Sequence, residues 1–165
     1  HKAHIDVVTL NVFSWAALQP DESTYDFSKL DKIMKLVRDN GLKACMATST
    51  AAHPAWMARK YPDILRVEHN GMKRKFGARH NSCPNSPNYR KYSAALVEKI
   101  AERYYEIPKD QRNGKCQITA SSSFFIPKPF TPFQWAPMNT EREFLDKAAI
   151  VKAEVRAQLN QKSIR

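Results

Sequence analysis

The groups in this 165-residue chain that could hold a metal or move a proton are three cysteines, five histidines and sixteen carboxylates. Cys45, Cys83 and Cys116 stand more than thirty residues apart, with no C-x-x-C pair and no H-E-x-x-H among the histidines. They form no disulfide framework and no zinc motif, and a reducing, cytoplasmic setting is expected. His53, just before Pro54, has the polar loop position of a site residue, although a single histidine reads first as a satisfied hydrogen-bonding group. Lys73, Arg74 and Lys75 make the one tight basic run, read first as a solvated strand or loop. The segment IPKPFTPF at residues 126–133 cannot be a central strand, because proline has no N–H to give a ladder. It reads as irregular chain packing its aromatics, with a proline-rich ligand for an aromatic groove as the alternative.

Composition limits what these groups can serve. With 42% apolar and 10% aromatic residues, one domain's length of chain can bury a core, which argues against wholesale disorder. Ten prolines against four glycines, with 26% charged residues, exclude collagen-like and Gly/Ser-linker behaviour. The apolar runs are far short of a membrane span. The net charge of +11 comes from 27 basic and 16 acidic side chains. It is spread along the chain: residues 1–105 hold 17 basic and 10 acidic, residues 106–165 hold 10 and 6. Nucleic-acid binding therefore rests on charge alone, with no recognition motif. There is no initiator Met and no basic-then-apolar leader, so the chain is expected to begin inside a longer parent.

Several elements must position the candidate groups. Residues 5–13 (IDVVTLNVF) are β-branched and nearly continuously apolar over their first half, as expected of a strand covered on both faces in a parallel sheet. Ser28 is the expected cap of a helix carrying Leu30, Ile33, Met34 and Val37 at i, i+3, i+4, i+7, ended by Gly41. Residues 42–48 (LKACMAT) form a second short strand, which completes a βαβ unit. The excursion over residues 49–84 lies at the carboxyl end of that strand, where α/β enzymes place their chemistry. Within it, Pro54 opens a helical turn that must stop before Pro62, and Asn70-Gly71 signals a type I′ hairpin. Ser86 and Pro87 start a helix with Tyr89, Tyr92, Leu96, Val97, Ile100 and Tyr104 on one face, ending near Tyr105. Polar and proline-rich chain follows. Thr140 to Glu143 is then a capping box for a long helix bearing Phe144, Ala148, Val151, Val155 and Leu159.

The stretches IDVVTLNVFSWAALQPDESTYDFSKLDKIMKLVRDNGLKA and ATSTAAHPAWMARKYPDILRVEHNGMKRKFGARHNSCPNSPNYRKYSAALVEKIAERY carry a resemblance to a known family. Phe-Ser-Trp followed by Pro, Tyr-Asp-Phe before a helix, Pro-Ala-Trp then Tyr-Pro in a loop, and Cys-Pro-Asn-Ser-Pro before the next helix form a specific combination. Over residues 1 to about 105 the chain resembles the catalytic barrel of glycoside hydrolase family 42, the β-galactosidases. The resemblance implies an α/β fold: a partial (β/α)8 TIM-barrel fragment made of the second and third βα units. A full barrel needs about 250 residues. The expected divisions are 1–105 as partial barrel, 106–139 as an irregular Pro/Ser-rich segment, and 140–165 as a C-terminal amphipathic helix.

The implied chemistry is retaining hydrolysis of terminal β-D-galactosides, which needs two carboxyls roughly 5 Å apart across the anomeric carbon. The family takes its acid/base from an Asn-Glu pair after a strand ending in Trp-His, and its nucleophile from much later. Neither glutamate has a counterpart here. Trp135, Asn139 and Glu141 echo the first, but Thr140 intervenes and the upstream prolines deny Glu141 a strand; it reads as a first-turn helix acid. Arg79 in FGAR matches the arginine that grips galactose in the glycone subsite, although His80, Asn81 and Ser82 depart from the usual Arg-His-Tyr. Cys83 matches the first ligand of a structural zinc site found in part of the family, whose other three ligands have no match, so no cofactor is expected and a buried thiol is the plainer reading. Trp15 and Trp56 are candidate sugar-stacking platforms, with packing as their ordinary role.

Two readings follow: a β-galactosidase-like glycosidase present as a fragment lacking both catalytic glutamates, or a catalytically inert truncated or frame-disrupted barrel. A basic nucleic-acid-binding module is a distant third. The expected ligand is a small β-galactoside, with no nucleic acid and no membrane as partners. Parallel strands lacking neighbours leave open edges, so self-association is expected.

Overall fold

The computed structural model describes residues 4–77, 82–112, 116 and 125–158. The chain falls into two compact units, His1–Glu106 and Ile107–Arg165. The first is a mixed α/β unit. Strand β1 (Val7–Leu10) is followed by a short helix α1 (Trp15–Leu18), helix α2 (Ser28–Asp39) and strand β2 (Lys43–Met46). Helix α3 (Ala55–Lys60), a 3-10 turn (Pro62–Ile64) and the long helix α4 (Pro87–Glu106) complete it.

The strands pair in parallel, Val7 opposite Lys43 through Leu10 opposite Met46, as the βαβ pattern predicts. Their packing departs from expectation. The β-branched run predicts a strand covered on both faces, but Ile5 is 50% and Val7 52% exposed, and β2 is exposed at three of its four residues. Each strand has one hydrogen-bonded neighbour among the described residues, and no layer buries the pair.

The core lies beside the sheet. Trp15 and Leu18 of α1, Leu30 of α2, Met57 and Ala58 of α3, Ile64 of the 3-10 turn, and Tyr92 and Leu96 of α4 form one buried cluster. Six of the eight come from the two connections that leave the strands, and α4 lends its Tyr92/Leu96 face. The remaining positions of that stripe, Tyr89, Val97, Ile100 and Tyr104, are half-buried.

Local chemistry sets the element ends. Ser28 is the first helical residue of α2 rather than its cap: Phe27 holds the cap position with no side-chain cap bond, and Asp26 Oδ1 accepts the Ser28 N–H at 2.8 Å. Gly41 at φ +67° closes α2 in a Schellman motif, with Leu42 N–H on the Val37 carbonyl at 3.0 Å and Gly41 N–H on that of Arg38 at 2.9 Å. Ser86 caps α4 through its Oγ, which accepts the Tyr89 N–H at 3.0 Å, and donates to Asp63. Burial pushes the Asp63 carboxyl up, but hydrogen bonds from Ser86 and Asn88 outweigh it and hold the group below its ordinary range.

The hairpin between Arg66 and Arg74 forms, with Val67 opposite Lys73, but by another turn. Gly71 N–H bonds the Glu68 carbonyl at 3.0 Å and Glu68 N–H bonds the Met72 carbonyl at 2.8 Å. Gly71 has φ +80° and Asn70 is not among the left-handed residues. A type I′ turn needs both, so this is a three-residue loop closed by a glycine bulge.

In the second unit, a 3-10 turn (Lys109–Gln111) precedes the proline-rich segment, and helix α5 (Glu141–Gln158) follows it. The capping box is present: Thr140 N–H donates to Glu143 at 2.7 Å, and Glu143 N–H bonds the Thr140 Oγ1 at 3.4 Å. Residues 125–139 contain no helix or strand. Phe130 takes φ +61° in a turn where Thr131 Oγ1 donates to the Lys128 carbonyl at 2.7 Å. That kink interrupts a continuous polyproline conformation at Phe130. The aromatics of IPKPFTPF are also less packed than expected: Phe130 is 99% exposed and Phe133 65%.

Candidate functional site

The register that sets Leu10 opposite Met46 sends residues 11–13 and 47–50 out of the same, carboxyl end of the sheet. Asn11 Nδ2 donates to the Ala47 carbonyl at 3.3 Å, and the Ser49 hydroxyl donates to the Asn11 carbonyl. Asn11 and Ser49 both hold left-handed backbone, at φ +66° and +61°, a conformation L side chains adopt at a cost. The two exit loops are thus pinned together at one rim.

Beyond the rim the loops are tied into a frame. The buried Gln19 accepts Trp15 Nε1–H on its Oε1 at 2.8 Å, donates from Nε2 to the Glu22 carbonyl at 3.1 Å, and accepts Trp56 Nε1–H on its own carbonyl at 3.0 Å. Glu22 accepts from Lys60 and from the hydroxyls of Tyr61 and Tyr92, while the two hydroxyls lie 2.9 Å apart. Lys60 first, then the two tyrosines, hold the Glu22 carboxyl down at about 2. Burial first, then the hydrogen bonds to Glu22 and Tyr61, push the Tyr92 phenol up. One carboxylate therefore joins the β1 exit loop to α3 and α4.

The structure sorts the candidates. Trp15 is fully buried and packs on Tyr89 with ring centres 6.1 Å apart; it is a packing residue. Trp56 is half-buried, edge-on to Tyr92 at 5.3 Å, and anchored on Gln19. His53 is 5% exposed, with Nδ1 2.6 Å from Ser82 Oγ and its ring 5.6 Å from that of Phe76. Arg79 lies outside the described residues. Glu141 stands exposed in the first turn of α5, in the second unit. Arg74 pairs with Glu68, and Lys73 and Lys75 are exposed, as a solvated run should be.

Zinc does not fit. Cys45, Cys83 and Cys116 are free thiols, and among the described residues no three His, Cys, Asp or Glu side chains cluster as a metal site, where a structural zinc needs about four ligands. Nor do the described carboxylates offer an acid and nucleophile pair at the rim. Residues 11–13 and 47–50 contain none, Asp31 is held by Arg103 at 2.7 Å, and Glu22, Asp63 and Glu68 are engaged as above. The depression between β1, α1 and α2 measures about 70 Å³, well short of a sugar-sized pocket.

Gln19, Glu22, Asn11 and Ser49 were missed as position-setting residues. Gln19 falls inside the stretch that carries the family resemblance without being one of its motif residues, and nothing local distinguishes Glu22 from an exposed loop acid.

A parallel βαβ unit with its elaborated loops at the carboxyl end of the strands is the plan of an α/β enzyme. The family model Glyco_hydro_42, Beta-galactosidase, matches residues 1–109, and the chain belongs to that family. It is 64% identical over 106 residues to beta-galactosidase BgaA of Planococcus sp. (strain 'SOS Orange'), covering 64% of this chain and 16% of that one. It is 55% identical over 107 residues to beta-galactosidase LacZ of Heyndrickxia coagulans, covering 65% and 16%. The crystal structure of beta-galactosidase from Bacillus circulans sp. alkalophilus superposes with TM-score 0.60 at 61% identity, over 64% of this chain and 16% of that one. The cold-adapted beta-galactosidase from Rahnella sp. R3 superposes with TM-score 0.61 at 37% identity, over 65% and 16%. The chain thus matches about a sixth of the length of these relatives.

Proposed function

We propose that residues 1–106 are the second and third βα units of a retaining β-galactosidase barrel, and that the 165-residue chain does not turn over substrate by itself. The observation that carries this reading is the family match combined with a rim that has no carboxylate. The unit supplies loops and a glycone contact, while retaining chemistry needs an acid and a nucleophile that stand elsewhere in the family's barrel. Arg79 is the residue assigned to substrate: a guanidinium fork donates to adjacent sugar hydroxyls, and the segment containing it lies between Phe76 and Ser82, both in contact with the buried His53. No cofactor takes part.

A cytoplasmic location accords with the three free thiols. No described helix is long and apolar enough to cross a membrane. The bare sheet supports self-association, and a β-galactoside is the proposed ligand.

The test is a graft. Residues 1–106 replace the matched segment of the Planococcus enzyme, and hydrolysis of a chromogenic β-galactoside is measured with Arg79→Ala alongside. Activity in the graft, lost at least a hundredfold in Arg79→Ala, with none in the 165-residue chain, supports the reading. Turnover by the 165-residue chain that depends on Arg79 overturns it.

A further inference from the structure

Asn-Gly pairs stand at residues 40–41, 70–71 and 113–114, the last outside the described residues. Asparagine before glycine is prone to ring closure, because no side chain on the second residue shields its backbone nitrogen from the amide carbon. The two described pairs are alike in most respects. Both are exposed, and Gly41 and Gly71 hold φ +67° and +80°. Each glycine N–H bonds a carbonyl three residues back, that of Arg38 at 2.9 Å and that of Glu68 at 3.0 Å.

The pairs differ in where the asparagine side chain is held. Asn40 turns back: its Nδ2 donates to the Leu36 carbonyl at 2.8 Å, which ties the amide to the last turn of α2. Asn70 reaches forward: its Oδ1 accepts the Met72 N–H at 3.1 Å, so the side-chain carbonyl bridges the Gly71 peptide unit. The partners fix the sense of both amides, since an N–H must meet Oδ1 and a carbonyl must meet Nδ2. The Met72 N–H also faces the oxygen on which negative charge gathers when the Asn70 Cγ is attacked. Freeing the Gly71 nitrogen opens only a hairpin with one bridge, Val67 to Lys73, whose Val67 and Met72 are 55% and 65% exposed. Freeing that of Gly41 undoes the Schellman end of α2, where Gly41 and Leu42 are both bonded back to the helix.

We propose that Asn70-Gly71 is a self-modifying site, at which the folded hairpin directs succinimide formation, and that Asn40-Gly41 is protected by its helix. The Gly71 nitrogen gives its proton to solvent hydroxide and bonds to the Asn70 Cγ; the Cγ–Nδ2 bond breaks and that nitrogen leaves as ammonia. The succinimide ring then takes up one water at either carbonyl, and breaking the matching C–N bond leaves an aspartyl or an isoaspartyl link at position 70. Water enters and ammonia departs, and nothing is oxidised or reduced. The product replaces an amide by a carboxylate on a hairpin that carries Lys73, Arg74 and Lys75. Its isoaspartyl form also adds a backbone carbon to the three-residue loop, which shifts Val67 out of register with Lys73.

The experiment keeps the full 165-residue chain in warm, mildly alkaline buffer and samples it by tryptic mass mapping, which releases residues 67–73 and 39–43 as separate peptides. The 67–73 peptide should gain one mass unit and split into two chromatographic forms. The 39–43 peptide should change roughly tenfold more slowly. Gly71→Ala shields the attacking nitrogen with a Cβ; it should slow the reaction at Asn70 and leave that at Asn40 as it was. In concentrated urea, where neither asparagine side chain is held, the two rates should converge. Equal rates in the folded chain, faster reaction at Asn40, no slowing in Gly71→Ala, or a preference for Asn70 that persists undiminished in urea overturns the inference.

Discussion

The hydroxyl of Ser49 donates to the backbone carbonyl of Asn11 across 38 residues of sequence, and both residues hold left-handed backbone. Two strained residues at the exits of adjacent parallel strands are fastened to each other, which fixes where the two functional loops start. Ser49→Ala keeps the strain and removes the bond, so it should cost about 1–2 kcal/mol. Ser49→Gly loses the same bond but relieves the backbone, and should cost less. Urea unfolding of the two variants measures the order, which reverses if the backbone at Ser49 is unstrained.

The Glu22 carboxyl sits at about 2 in the folded chain against an ordinary 4.5. Its contribution to stability is full above pH 4.5 and disappears as pH falls towards 2, because the unfolded chain takes up the proton first. Glu22→Gln should therefore lower Tm at neutral pH and leave the difference from the parent shrinking between pH 4.5 and 2. A difference that is constant over that range would show that the Lys60, Tyr61 and Tyr92 contacts do not depend on the charge.

Core and sheet should respond in opposite ways to truncation. Leu96 and Met57 are fully buried, and Leu96→Ala or Met57→Ala should cost about 2–5 kcal/mol. Val7→Ala, in a strand, should cost less than about 1 kcal/mol. Equal losses at Val7 and Leu96 would mean that the sheet is covered in solution.

Gly71, at φ +80° with nothing within 4 Å of an added Cβ, has space for a side chain but not the conformation. Gly71→Ala should cost about 1 kcal/mol, measured by thermal unfolding. Asn70→Ala should cost less, since Asn70 contributes only its Oδ1 to the Met72 N–H at 3.1 Å.

Periodicity is enough for α2, α4 and α5 and for the parallel order of the strands, though not for the short α1, because those signals are local: the stripe on α2, the Schellman glycine at Gly41 and the Ser86-Pro87 start all sit where the sequence puts them. The exposure of β1 was not legible. An apolar β-branched run states what a strand requires, and whether another layer answers depends on chain outside the run. The hairpin was legible as a hairpin, while its turn type depended on the backbone of Asn70, which Asn can adopt in either sense. At the site, the motif residues were visible through the family resemblance. The partnership of Gln19 and Glu22 with residues of α3 and α4 was not, because contacts 37 to 70 residues away leave no spacing to read.

The placement of the core outside the strands also sets an order of events in time. Amides that are slow to exchange with deuterium belong to segments whose opening requires the packed cluster to break. In this unit those are the connections, such as Gln19, whose N–H is bonded to Trp15, and Leu65, bonded to Pro62, together with the middle of α4. The amides of Val7, Thr9, Ala44 and Met46, in the only regular strands of the unit's described residues, exchange first. The unit thus inverts the usual ranking of an α/β protein, in which strands are the last segments to open and loops the first.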